Sequence, residues 1–140
     1  MRGDFLDTNV FVYAFDDAEP RKQEVAQAVV SGAIRDSTGT ISHQVIQETL
    51  RVLTTKTRFG VPPTAAADYL TRILLPLWHQ PPQATMFVRG LEVQERYGYS
   101  FYDSLIIAAA LEAGCDRILS EDLQHGQRVE SLVIEDPFRQ

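Results

Sequence analysis

Four carboxylates, Asp7, Glu48, Asp103 and Asp122, lie far apart in the sequence, each beside a short apolar run or early in an apolar helix. Acids gathered in one cleft are costly. At an effective dielectric of 20, two carboxylates 4 Å apart repel by roughly 4 kcal/mol. Such a cluster must hold protons or bind cations. A donor set of oxygens, without Cys or paired His, favours Mg²⁺ over zinc, with Mn²⁺ as a substitute. Magnesium keeps most of its waters and takes one or two protein carboxylates plus a substrate phosphate. That chemistry suits hydrolysis of a phosphodiester.

The surrounding elements decide whether the four acids meet. Phe5-Leu6 reads as a short buried strand ending at Asp7, with Thr8 or Asn9 opening a short helix to Ala14. A helix is expected from about Pro20 to Ala33, with Val25, Ala28, Val29 and Gly32 on its buried face. Residues 38–41 read as a second strand, and Ser42 as the cap of a helix running to about Arg58, stopped by Gly60. Thr64 caps another helix to about Leu75, and a further one spans about 83–97 up to Gly98. Ser100 opens a helix through Leu111 that ends at Gly114, with Asp103 at capping-box spacing. Residues 117–120 and 132–134 are the remaining strands. Short apolar strands alternating with helices imply an α/β fold: a central, mainly parallel sheet between two helical layers. The ligand crevice of such a sheet lies beyond the carboxyl ends of its strands. Asp7 and Asp122 follow strands. Asp103 begins a helix that leads into a strand, and Glu48 lies on a helix that starts from the same rim. All four therefore face one edge.

Each acid alone also has a structural reading. Asp7 can be a helix cap, Asp103 a first-turn acid favoured by the helix dipole, Glu48 a solvated helix acid and Asp122 a turn residue. Their agreement on one edge carries the case. The composition frames it. The 140 residues, 44% hydrophobic and 23% charged, fit a single domain over 1–140. No apolar run approaches the ~20 residues of a membrane span. The opening Met1-Arg2-Gly3-Asp4 does not read as a secretory signal. The lone Cys115 rules out an intrachain disulfide, and a cytoplasmic setting is expected. The net charge of −6 argues against non-specific nucleic-acid binding. It leaves open a nuclease whose acids hold cations.

Four stretches together carry a resemblance. They are Phe5-Leu6-Asp7-Thr8-Asn9-Val10, Gln44-Val45-Ile46-Gln47-Glu48, residues 101–110 (Phe101-Tyr102-Asp103-Ser104-Leu105 and the apolar run after it), and Ile118-Leu119-Ser120-Glu121-Asp122-Leu123. In order and spacing, over nearly the whole chain, the sequence resembles the PIN-domain nucleases, and within them the VapC-type toxins of bacterial toxin–antitoxin pairs. The resemblance implies a three-layer PIN-like fold and magnesium ligation by Asp7, Glu48 and Asp103, with Asp122 as a fourth acid. It implies endoribonuclease activity leaving a 5′-phosphate and a 3′-hydroxyl, homodimerisation, and a cognate antitoxin that blocks the site. It further implies that Thr8, Asn9 and Ser120 support the cleft by hydrogen bonds. Transfer RNA is one substrate candidate on this basis, although no residue reads a base. Glu121 competes with Asp122 for the fourth place. Ser120 and Asp122 fall on one side of an extended segment, which favours Asp122.

On this reading Asp7, Glu48 and Asp103 hold one Mg²⁺, directly or through water, and Asp122 either positions a second ion or orients the attacking water. RNA needs basic contacts, and Arg51, Lys56 and Arg58 follow Glu48 on the same expected helix. Arg51 stands three residues from Glu48, so phosphate capture competes with a solvated face or a salt bridge to Glu48. His43, His79 and His125 lack paired metal spacing. Trp78 reads as core or dimer interface. Two other classes remain open: a Mg²⁺-dependent phosphatase or phosphoacceptor, against which Asn9 stands where a second Asp is expected, and a non-catalytic metal-binding α/β module.

Overall fold

β1, Asp4–Leu6, is the second strand of a five-stranded sheet in a computed structural model that describes residues 3–140. The N-terminal reading made from Met1 and Arg2 lies outside the described residues. β1 pairs in parallel with β2 (Gly39–Thr40) on one side and β3 (Arg117–Leu119) on the other. β5 (Leu132–Glu135) extends the sheet in parallel from β3, and the short β4 (Arg128–Val129) closes that edge antiparallel to β5. The order β2-β1-β3-β5-β4 makes the sheet mainly parallel. Phe5 and Leu6 are both fully buried, as are Ile118 and, nearly so, Leu119. Successive strand residues point to opposite faces, so both faces of the sheet are covered. This is a three-layer α/β/α arrangement. β4 has no counterpart in the sequence reading, because two residues carry too little periodicity to register.

The helices are α1 (Thr8–Tyr13), α2 (Pro20–Arg35), α3 (His43–Thr55), α4 (Pro63–Tyr69), α5 (Leu75–Leu77), α6 (Ala84–Tyr97) and α7 (Phe101–Glu112). Leu70–Leu74, between α4 and α5, takes a π-helical turn, so the expected helix to about Leu75 is one segment with a wide turn inside it. α7 is buried on every side from Ser104 to Ala110. A helix apolar all round belongs inside the molecule, and this one packs along α6 and leads into β3. Gly90 on α6 permits that approach: a Cβ there would stand 2.8 Å from the Leu105 side chain.

Four local expectations are corrected. Thr64 lies inside α4, whose N-cap position is Pro62, and caps nothing. The buried face of α2 is Ala26, Val30 and Ala33, while Ala28 is exposed and Val25, Val29 and Gly32 are only half-buried. The face is turned by about one residue, because α2 packs on α1 and β2 together. Ser42 has the extended backbone of a cap, but its hydroxyl is buried without a partner and caps nothing. α3 ends at Thr55, not near Arg58. Thr54 and Thr55 bond back to the carbonyls of Leu50 and Arg51, which weakens the last turn, and Val61 N–H returns to the Leu53 carbonyl. Lys56 is therefore the C-cap residue and Arg58 lies in the turn beyond.

Candidate active site

β2 and β3 leave β1 on opposite sides, so the winding direction reverses beside the carboxyl end of β1. There an open cleft of about 320 Å³ is lined by six carboxylates, Asp7, Asp16, Glu48, Asp103, Glu121 and Asp122. All four acids expected from the sequence are among them.

Asp7 sits at the end of β1 and is only 5% exposed. It caps α1: its Oδ1 accepts the Thr8 N–H at 2.7 Å. Its Oδ2 accepts the Ser120 hydroxyl at 2.7 Å. The structural and functional readings of Asp7 therefore coexist, since a cap at a strand end also fixes the carboxylate at the cleft floor. Glu48, one face of α3 away, is held by two donors. The Thr8 hydroxyl reaches Oε2 and the Gln44 amide reaches Oε1, each at 3.0 Å. Gln44 also donates to the Tyr102 carbonyl at 3.2 Å, which ties α3 to the start of α7. Asp103 stands in the first turn of α7, where its N–H is capped by Ser100 Oγ at 3.2 Å.

Asn9 organises the fourth corner. Its amide nitrogen donates to Ser120 Oγ and to Asp122 Oδ2, each at 3.2 Å. Its carbonyl oxygen accepts the Glu121 N–H at 3.1 Å. Asp122 N–H in turn reaches Ser120 Oγ at 3.1 Å. Thr8, Asn9 and Ser120 thus each bond to one or more of these acids. Ser120 is fully buried, with its hydroxyl donating to Asp7 and accepting from Asn9 and Asp122.

The six acids divide by charge balance. Asp16 is paired with Arg58 at 2.6 Å, and Glu121 with Lys22 at 2.6 Å. Among the described residues, no Lys or Arg pairs with Asp7, Glu48, Asp103 or Asp122. The cost is visible in their titration. Burial lifts Asp7 from 3.8 to about 6, and the charges of Asp122 and Glu48 add to the lift against the hydrogen bonds from Ser120 and Thr8. Burial also raises Asp103, and the same two charges contribute. These mutual effects mean that the four groups share one electrostatic environment. Glu121 behaves in the opposite way. Burial alone pushes it up, but the hydrogen bonds from Lys22 and Tyr13 outweigh that and hold it below the ordinary carboxylate range.

Among the described residues, no three His, Cys, Asp or Glu side chains are gathered tightly enough to form a ready-made coordination shell. The donor set suits a hard, hydrated cation instead, one that keeps several waters and takes one or two carboxylates directly. An unneutralised group of oxygens whose buried member ionises only at a cost fits such an ion by charge and by chemistry.

The basic residues fare differently. Arg51 is exposed on α3 and Lys56 is exposed at its C-cap. Among the described residues Arg51 makes no ion pair with Glu48, whose oxygens are taken by Thr8 and Gln44. Arg58 is committed to Asp16 and lies over the Phe59 ring. Trp78 is half-buried against the core, and Ile41 bridges to it beyond β2. His125 accepts the Asp136 N–H through Nδ1, a structural contact. Sequence reasoning missed Gln44, Tyr13, Lys22 and Asp16. Gln44 was open to inference, because it stands four residues before Glu48 on one helix face. The other three carry no local signal, since their partners come from distant elements.

Comparison with known proteins bears on the fold. The chain is similar in structure to the crystal structure of Mycobacterium tuberculosis VapC20, a sarcin-ricin loop cleaving toxin. The TM-score is 0.60 at 19% sequence identity, over 86% of this chain and 90% of that one. No curated protein matches the chain by sequence. The PIN domain pattern matches residues 5–129, from the first strand to β4, so the chain belongs to the PIN domain family.

Proposed function

We propose that this chain is a Mg²⁺-dependent endoribonuclease of the VapC toxin kind, a single domain that hydrolyses RNA phosphodiester bonds. The observation that carries the reading is the group of four carboxylates at the switch point of the sheet with which, among the described residues, no Lys or Arg pairs. Family membership and the likeness to a toxin that cleaves the sarcin-ricin loop point the same way.

In this reading Asp7, Glu48 and Asp103 hold the cation, directly or through its waters. When bound, a divalent ion acidifies water and offsets the charge that builds on phosphoryl oxygens. The protein's part is orientation. Ser120 and Thr8 fix both oxygens of Asp7, and Thr8 and Gln44 fix both oxygens of Glu48. Preset donors of this kind spare the cost of reorganising ligands at each turnover. Asn9 fixes Oδ2 of Asp122, which leaves Oδ1 as an acceptor that orients the attacking water. Arg51 and Lys56, exposed beyond Glu48, supply phosphate contacts, with Arg58 at the rim. The substrate class is structured RNA, ribosomal or transfer. A cognate antitoxin that covers the cleft and a homodimer complete the reading. Among the described residues, no helix is long and apolar enough to cross a membrane.

The test is incubation of the purified chain, free of antitoxin, with total cellular RNA, followed by mapping of the cut ends. Cleavage leaving 5′-phosphates, abolished by EDTA, restored by Mg²⁺ and absent in Asp103→Asn, is the expected result. Full cleavage by Asp103→Asn, or in EDTA, rejects the assignment. Acid-labile phosphate on Asp7 would support a phosphoacceptor instead.

A further inference from the structure

We propose that Lys22 is a resident counter-cation of the cleft, which takes the Glu121 carboxylate out of ion binding and so confines the cleft to one divalent cation at Asp7, Glu48 and Asp103. The inference rests on the metal-dependent reading above and adds a stoichiometry to it. Lys22 reaches in from α2. Its Nζ stands 2.6 Å from Glu121 Oε2 and 3.3 Å from the Tyr13 hydroxyl. Tyr13 donates to the other carboxylate oxygen, Oε1, at 2.7 Å. Both oxygens of Glu121 therefore carry donors, as those of Asp7 and Glu48 do, but among the described residues only Glu121 of these three has a charged donor that neutralises it.

The ammonium is also held in place. It lies 4.8 Å from the centre of the Tyr13 ring and 5.9 Å from that of Phe138. The two rings meet edge to face at 4.8 Å. Only 25% of the Lys22 side chain is exposed. A lysine enclosed by two ring faces and a carboxylate is a fixed charge, stabilised by cation–π attraction as well as by its ion pair. The Lys22–Glu121 pair leaves this wall without the net negative charge that would hold a second dication. The next acid along the chain, Asp122, already has one oxygen committed to Asn9. Among the described residues, no Lys or Arg pairs with Asp7, Glu48 or Asp103.

The experiment is calorimetric titration of metal-free protein with Mn²⁺. The wild type is expected to take up one ion per chain. Glu121→Gln is expected to take up one as well, with Kd changed by less than about threefold, well short of the ~10–100-fold that loss of a supporting contact costs. Lys22→Met frees Glu121 and is expected to admit a second, weaker ion, and the Lys22→Met/Glu121→Gln double variant to return to one. Circular dichroism checks that each variant is folded, and Glu121→Gln carries the test if Lys22→Met is not. Two ions in the wild type, a tenfold loss of affinity in Glu121→Gln, or an unchanged single site in folded Lys22→Met each overturn the proposal and leave the nuclease reading standing. A wild type that binds no Mn²⁺ overturns both.

Discussion

Replacing Asp7 by Asn should stabilise the metal-free protein above about pH 5 and abolish its function, and the size of the effect follows from the site. Burial raises the Asp7 carboxyl from 3.8 to about 6. Between those values the folded state holds a proton that the unfolded state has released, so the stability of the wild type falls as pH rises through this window and levels off above it. A shift of about 2 pKa units corresponds to about 3 kcal/mol of ionisation penalty at neutral pH. Asn removes that penalty but brings a cost. Ser120 Oγ donates to Asp7 and already accepts from Asn9 and Asp122. An amide nitrogen facing it would lack an acceptor, a loss of about 1–1.5 kcal/mol. The net gain is then about 1.5–2 kcal/mol at pH 8, or roughly 5 °C in Tm for a domain of this size. It should shrink on acidification, vanish near about pH 5 and reverse at about pH 4, where Asp7 is itself protonated. Thermal denaturation of both proteins in EDTA, from pH 4 to pH 8, measures this directly. Mg²⁺ should then raise the Tm of the wild type and leave Asp7→Asn unmoved. A variant less stable than the wild type at pH 8 in EDTA, or a difference that ignores pH, would refute the view that this carboxylate is held against its own charge. Functional sites commonly carry such destabilising groups.

Gln44→Ala removes one of the two donors that hold Glu48 and should weaken Mn²⁺ binding by about 10–100-fold with little change in fold, as read by titration calorimetry and circular dichroism. Arg51→Glu should weaken RNA binding and flatten its dependence on salt, because one phosphate contact is lost; filter binding at several salt concentrations that shows no change would place Arg51 on a merely solvated face. Gly39→Ala should destabilise the protein by about 1–3 kcal/mol, because the added Cβ would stand 2.6 Å from the Ala33 Cβ and 3.1 Å from Leu77; an unchanged denaturant midpoint would contradict the packing of α2 on β2.

What the chain discloses on its own is what local periodicity and position control. Phe5-Leu6 before Asp7, Ser100 before Asp103, and the unbroken apolar run of α7 are legible, because strand ends, caps and all-round hydrophobicity are properties of neighbouring residues. The parallel sheet follows from their alternation, and the convergence of Asp7, Glu48, Asp103 and Asp122 follows from the parallel sheet. Tertiary structure alone decided the charge balance inside the cleft. Lys22 finds Glu121 across 99 residues and Arg58 finds Asp16 across 42. No pattern in the sequence ties such pairs together, yet they determine which acids keep their charge for a cation. The rotation of α2, the early end of α3 and the short strand β4 were likewise settled by packing, where a single helix face or a two-residue strand depends on what it meets.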